Sequence, residues 1–106
     1  MSITLYTATG CVRCRMVRQF LEERGLIYNN LDALNEGKQP FRSFYQTNRQ
    51  AIYRGAEGVE FPVYCDGNVI RQGLPAVLAY LIAGTSLDGF FTQARKHQFK
   101  TEILKD

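Results

Sequence analysis

The first 25 residues change from an alternating pattern of apolar and polar side chains to a helical one. Residues 3–7 read Ile-Thr-Leu-Tyr-Thr, an alternation rich in β-branched and aromatic types that predicts a first strand. From residue 12 to residue 24 the apolar positions recur at intervals of three and four, which predicts an amphipathic helix. These positions are Val12, Met16, Val17, Phe20 and Leu21. Gly25 is suited to end this helix, because glycine readily adopts the left-handed conformation that follows a last turn.

The middle of the chain predicts a second strand over 26–31, a loop over 32–39 and a long second helix. Pro40 fits the first turn of that helix, which we expect to extend to about residue 54, just before two nearby glycines. The apolar side of the helix is formed by Phe41, Phe44, Tyr45 and Ile52. After it, residues 61–65 and 69–71 predict a third and a fourth strand, joined by an Asp-Gly pair that is a strong hairpin signal.

A third helix is predicted from Pro75 to about residue 83, followed by a hinge at 84–86 and a last helix over 88–99. The order of elements is therefore β-α-β-α-β-β-α with one extra helix. A β-α-β unit followed by a hairpin and a covering helix predicts an α/β fold, in which a four-stranded mixed sheet is flanked by helices. We expect one domain over 1–83 and a helical extension over 84–106.

Composition and charge narrow the class of function. The chain has 106 residues, 45% of them hydrophobic and 22% charged, as in one ordinary globular domain. Its net charge of +3 comes without a dense basic stripe and gives no indication of nucleic-acid binding. The longest apolar run, 74–83, is about half as long as the roughly 20 residues that a membrane span needs. The start has no basic, apolar leader. We therefore expect a cytoplasmic monomer with no membrane partner.

Cys11 and Cys14 form a Cys-x-x-Cys motif where the first strand gives way to the first helix. The chain has three cysteines, and so small and odd a number favours redox chemistry, metal binding or burial over a disulfide framework. A helix N-terminus offers unpaired N–H groups and the positive end of the helix dipole, which both stabilise a thiolate. Together with the nearby charge of Arg13, this predicts a pKa for Cys11 below the ordinary thiol value of about 8.5.

The two cysteines of the motif are predicted to have different roles. Cys14 lies one helical turn further in, so we expect it to be more buried and less acidic than Cys11. Cys11 would then attack a substrate disulfide, and Cys14 would resolve the mixed disulfide and leave the two cysteines joined.

Two other functions stay open on these residues. One is a metal or iron–sulfur carrier that uses Cys11, with Cys14 or glutathione. A structural zinc site wants four ligands, and Cys65 and His97 are the only further soft candidates and lack ligand-pair spacing, so no metal site is predicted. The other function is a redox-inert interaction domain whose basic helices hold an acidic partner.

Several short stretches occur in an order that is typical of one family. They are Leu5-Tyr6-Thr7, Cys11-x-x-Cys14, Phe61-Pro62-Val63-Tyr64, Asp66-Gly67-Asn68-Val69-Ile70 and Gly73. Over roughly residues 2–83 the chain thereby resembles the glutaredoxin-like branch of the thioredoxin superfamily. The resemblance implies a thioredoxin-like fold, disulfide reductase activity, and a cis bond before Pro62 whose neighbouring backbone pairs with bound substrate. It makes Arg13, Phe61, Pro62 and Gly73 candidate substrate-binding residues.

The resemblance also bears on the electron source. Glutathione-using members of the family usually carry Pro-Tyr between the cysteines and an acidic pair after a glycine near the third helix. This chain has Val12-Arg13 and Leu74-Pro75 at those places, which is more similar to the small redoxins that donate electrons to ribonucleotide reductase and are reduced by thioredoxin reductase. The implied partners are disulfide-containing proteins and a reductase or glutathione as electron source, with no tightly bound cofactor.

A few further residues have competing interpretations. Cys65, near the end of the third strand, is expected to be a small buried side chain rather than a third redox thiol. Arg42, Gln46 and Arg49 share one side of the second helix, where they would hold a glutathione carboxylate or an acidic partner, or simply form a solvated face. Tyr6 is expected in the core.

Overall fold

The structure is a computed structural model and describes residues 2–85. The helix predicted over 88–99, and with it His97, lies outside the described residues, as does most of the extension predicted over 84–106. The division at residue 83 therefore stays a prediction.

Six strands and three helices make up the described part of the chain. The strands are β1 (Ile3–Thr7), β2 (Tyr28–Asp32), β3 (Arg54–Gly55), β4 (Gly58–Val59), β5 (Val63–Asp66) and β6 (Val69–Gln72). The helices are α1 (Val12–Glu23), α2 (Lys38–Thr47) and α3 (Leu74–Thr85), and a single 3-10 turn spans Arg49–Ala51. Within residues 2–85 no helix has the length and apolar character needed to cross a membrane.

Four of the strands form one mixed sheet in the order β2-β1-β5-β6. The β1–β2 pair is parallel, with Tyr6 opposite Leu31, while β1–β5 and β5–β6 are antiparallel, with Tyr6 also opposite Val63. A parallel pair needs a crossover connection, which α1 supplies, whereas β5 and β6 need only the tight turn at Gly67. The predicted α/β architecture with a four-stranded mixed sheet is confirmed.

The two faces of the sheet bury two separate hydrophobic clusters, because successive side chains of a strand point to opposite faces. On one face Leu5 and Tyr64 pack with residues of α1 and α3. The fully or nearly fully buried members of this cluster are Leu5, Val17, Leu21, Tyr64, Val77 and Leu81. On the other face Tyr6, Val63 and Ile52 pack with the aromatic side of α2. Tyr6 is buried, as the sequence predicted.

The second strand begins two residues later than predicted because α1 uses the preceding residues to end itself. Gly25, at φ +70°, donates its N–H to the carbonyl of Glu22, and the N–H of Leu26 reaches the carbonyl of Leu21. This pair of bonds is a Schellman motif, which satisfies carbonyls that the last turn would leave unpaired. Leu26 is therefore part of the helix end and is not available to the sheet.

The prediction of one long second helix is wrong, because α2 ends at Thr47. Asn48 is its C-cap residue, at φ −116° and ψ 30°, and both its backbone N–H and its side-chain amide donate to the carbonyl of Phe44, at 3.0 and 2.9 Å. A 3-10 turn and the small hairpin of β3 and β4 follow, where Gly58 has a φ of +101°. The prediction of a hinge at 84–86 is also wrong for residues 84 and 85, because α3 continues through Thr85.

The side chain of Gln72 on β6 connects the small hairpin to the main sheet by hydrogen bonds. The N–H of Tyr53 donates to Oε1 of Gln72 at 2.7 Å. In return, Nε2 of Gln72 donates to the carbonyls of Tyr53 and Glu60, each at 2.9 Å. Both ends of the segment that holds β3 and β4 are thereby fixed to the edge strand.

Candidate active site

Cys11 is the N-cap residue of α1, at φ −81° and ψ 111°. Its sulfur accepts a hydrogen bond from the N–H of Cys14 at 3.1 Å. That donor is one of the groups that the first turn of a helix leaves without a backbone partner. The loop before it is tight, since Gly10 has a φ of +80° and the N–H of Cys11 donates to the carbonyl of Ala8. The N-terminal position predicted for Cys11 is confirmed.

The two cysteines of the motif differ sharply in exposure. Cys14 has 0% of its surface exposed and lies beneath the first turn of α1, whereas Cys11 is partly exposed. The pair is joined as a disulfide, and their Cα atoms are 5.3 Å apart, within the range that a disulfide spans. A reagent or partner in solution can therefore reach Cys11 but not Cys14.

The surroundings of Cys11 are positive on the side of α1. The first turn of the helix contains no acidic residue, and Arg13 and Arg15 are both exposed there. In the reduced protein, the backbone N–H groups and the helix dipole would stabilise a thiolate at Cys11, and Arg13 and Arg15 add positive charge to the same turn. Val12, between the cysteines, is 56% exposed, so the surface around the motif also has an apolar part.

A second loop, at Phe61 and Pro62, lies beside the motif. The Phe61–Pro62 peptide bond is cis, as the resemblance implied. The carbonyl oxygen of Phe61 is 3.9 Å from Sγ of Cys11, and the carbonyl of Pro62 accepts the N–H of Gly73 at 2.9 Å. The structure therefore brings Cys11, Cys14, Phe61, Pro62 and Gly73 together, and Arg13 lies on the adjoining turn of α1.

An aromatic cluster holds the Phe61 loop against α2. The ring of Phe41 lies 5.3 Å from that of Phe61 and 5.2 Å from that of Tyr6, between ring centroids. Phe44 adds a further contact to Tyr6 at 4.8 Å. Tilted aromatic pairs at these distances contribute about 0.5–1.5 kcal/mol each beyond the area that they bury. The position of α2 thus determines where the loop beside Cys11 lies.

Sequence reasoning missed a polar network that ties the loop before Cys11 to the end of β2. The hydroxyl of Thr9 donates to Oδ2 of Asp32 at 2.5 Å and accepts from the Asn35 amide at 2.9 Å, while Oδ1 of Asp32 accepts the N–H of Leu34 at 2.8 Å. These bonds, that from Thr9 above all, hold the pKa of the Asp32 carboxyl below its ordinary value. The available signal was an aspartate directly at the end of a strand that is parallel to β1.

Other candidates lie away from this loop or have other contacts. Cys65 is half-buried rather than buried, because it is next to the exposed β5–β6 turn, where its Sγ is 3.8 Å from the carbonyl of Gly67. Burial raises the pKa of its thiol, with a smaller effect from the charge of Asp66. Arg49 does not lie on α2, and its guanidinium is 5.9 Å from the Tyr45 ring.

Arg42 and Gln46 are exposed on α2, as a solvated helix face would be. Among residues 2–85, no three His, Cys, Asp or Glu side chains are grouped so that they could hold a metal ion.

Comparison with known proteins bears on the fold. No protein-family model and no curated protein matches the sequence. Among solved structures, the chain is similar to the glutaredoxin-like protein NrdH-redoxin from Escherichia coli, whose activity profile is described as thioredoxin-like. The TM-score is 0.54 at 23% sequence identity, over 76% of this chain and 95% of that one. The chain has a thioredoxin-like fold.

The arrangement around Cys11 has a clear chemical capacity. A Cys-x-x-Cys pair that forms a disulfide can accept and release two electrons. The pair therefore has the chemistry that thiol–disulfide exchange requires.

Proposed function

We propose that the protein reduces disulfide bonds in other proteins, with Cys11 as the attacking thiol and Cys14 as the resolving thiol. The observation that carries this proposal is the asymmetry of the pair. Cys11 is partly exposed at the helix N-terminus and its sulfur accepts an N–H, whereas Cys14 has no exposed surface. The thioredoxin-like activity described for the similar redoxin supports the same class of reaction.

The reaction is a double exchange. In the reduced protein, the Cys11 thiolate attacks one sulfur of the substrate disulfide, forms a mixed disulfide with it, and releases the other substrate sulfur as a thiolate. Cys14 then gives up its proton and attacks Sγ of Cys11, which releases the second substrate thiol and forms the Cys11–Cys14 disulfide. Two electrons pass to the substrate, and an external dithiol or thiol pair returns them.

The second loop supplies a place for the substrate backbone. A substrate cysteine bonded to Sγ of Cys11 lies close to the carbonyl of Phe61, which is 3.9 Å from that sulfur. An extended segment beside it can accept or donate main-chain hydrogen bonds at Phe61, as strand addition does. On the α1 side of Cys11, the exposed Val12 adds apolar contact area that favours a protein substrate over a small disulfide.

We infer that a reductase protein rather than glutathione returns the electrons, and that the protein works in the reducing cytoplasm. Val12-Arg13 and Leu74-Pro75 replace the residues that glutathione-using relatives carry at those places. Purified protein would be tested for NADPH consumption with thioredoxin reductase, and separately with glutathione and glutathione reductase. Faster turnover with glutathione would contradict this electron source.

The roles of the cysteines are tested by three serine variants. We expect Cys11→Ser to abolish reduction of a protein disulfide, and Cys14→Ser to accumulate a mixed disulfide that mass spectrometry detects. Cys65→Ser is the control and should retain wild-type rates, because Cys65 lies at the opposite end of β5 from Pro62. Full activity of the Cys11→Ser protein would overturn the proposed function.

A further inference from the structure

A carboxylate lies at the edge of the candidate active site, over the glycine that contacts Pro62. Gly73 has a φ of +88° and donates its N–H to the carbonyl of Pro62 at 2.9 Å. A β-carbon on residue 73 would lie 2.9 Å from Oε2 of Glu60 and 3.3 Å from its Cδ. The missing side chain of Gly73 thus leaves the space that the Glu60 carboxylate occupies.

Two features favour this position of Glu60. Its carbonyl accepts a hydrogen bond from Nε2 of Gln72 at 2.9 Å, so its backbone is fixed to the edge strand. Gly73 directly precedes α3, and its carbonyl accepts the N–H of Val77, so the carboxylate lies beside a helix N-terminus. The positive end of a helix dipole stabilises an anionic group there.

Opposite charges therefore flank the sulfur of Cys11. On the α1 side are Arg13, Arg15 and the helix N-terminus, which attract an anionic substrate group. On the Gly73 side is Glu60, one residue before the carbonyl that is 3.9 Å from the Cys11 sulfur. A substrate segment that passes Phe61 brings its flanking groups close to this carboxylate.

We propose that Glu60 is a specificity-determining residue, which disfavours disulfides of anionic molecules, such as glutathione disulfide, and favours those of neutral or basic ones. The inference rests on the proposed disulfide exchange at Cys11. Unit charges about 8 Å apart, at an effective dielectric constant of about 40–80, change a rate constant by about two- to sixfold.

The test measures second-order rate constants of the reduced protein with three small disulfides of different charge. They are glutathione disulfide, which is anionic, hydroxyethyl disulfide, which is neutral, and cystamine, which is cationic. In Glu60→Gln, the ratio of the anionic to the neutral rate constant should rise by about two- to sixfold, and the cationic to neutral ratio should fall by a similar factor. At about 0.5 M salt, where the Debye length is about 4 Å, both changes should shrink towards one.

Glu57→Gln is the matched control, because it removes the same charge at the turn between β3 and β4, three residues away. It should leave both ratios at their wild-type values. Unchanged ratios in Glu60→Gln, or equal changes in Glu57→Gln, would overturn the role of Glu60 while leaving the disulfide exchange in place. A wild-type protein that reacts with none of the three disulfides would overturn the proposed function, and this inference with it.

Discussion

Replacing Phe41 by alanine tests whether α2 holds the loop beside Cys11. Phe41 is partly buried and contacts the rings of Phe61 and Tyr6 at 5.3 and 5.2 Å. Truncating a buried phenylalanine costs about 3–5 kcal/mol, and the partial exposure of Phe41 reduces this to about 2–3 kcal/mol. With a urea m-value of about 1.5 kcal/mol/M, the unfolding midpoint should fall by about 1.5 M.

The same substitution should also slow the reaction with a protein disulfide, because the Phe61 loop loses the ring that fixes it. We expect a fall of up to about tenfold in the second-order rate constant. Phe20→Ala is the control, since Phe20 is partly buried on the other face of the sheet and stacks with Arg24. It should lower stability while leaving the rate constant unchanged.

Two results would refute this reasoning. An unfolding midpoint of Phe41→Ala equal to that of the wild type would mean that the aromatic cluster does not hold α2. A loss of rate no larger than that of Phe20→Ala would mean that Phe41 contributes stability alone. Phe41→Leu, which keeps most of the volume, extends the test if the alanine variant does not fold.

Three further predictions concern single side chains. Gly37→Ala should lower the free energy of unfolding by about 2–3 kcal/mol, since its β-carbon would lie 2.8 Å from the carbonyl oxygen of Asp32; unchanged urea unfolding would contradict this. Asp32→Asn should weaken the pH dependence of stability. The lowered pKa of Asp32 in the folded protein gives stability that is present above the ordinary pKa of about 3.9 and is lost as the pH falls through the pKa of the folded state. If the urea midpoint fell equally between pH 7 and pH 3 in the variant and the wild type, this prediction would be refuted. In reduced protein at pH 7, iodoacetamide should modify Cys11 before Cys65. The raised pKa of Cys65 leaves a smaller fraction of thiolate than the roughly 3% of an ordinary thiol. Mass spectrometry that finds Cys65 modified first would contradict this.

The strands of the main sheet and the difference in exposure between the two cysteines could be predicted because their signals are local. The alternation over 3–7 and the Asp-Gly turn at 66–67 each determine an element by themselves, and the structure has both. The burial of Cys14 followed from helical spacing alone, since three residues after a cap is one turn inside the helix.

The errors come from long-range contacts and from polar side chains that compete with the backbone. The second helix stops at Thr47, where the Asn48 side-chain amide donates to the Phe44 carbonyl in addition to the backbone N–H, and apolar spacing does not reveal such a polar contact. The bonds from Thr9 to Asp32 and from Tyr53 to Gln72 join residues 23 and 19 positions apart. Such pairs become visible only when the strand order is known.

The burial of Cys14 also has a kinetic consequence for the proposed reaction. Because its sulfur has no exposed surface, every electron that enters or leaves the pair must pass through Cys11. The oxidised substrate and the reductant therefore both react at Sγ of Cys11 and both occupy the surface around it, so they cannot be bound at the same time. Steady-state turnover should be of the ping-pong type, with parallel double-reciprocal plots, and each partner in excess should act as a competitive inhibitor of the other.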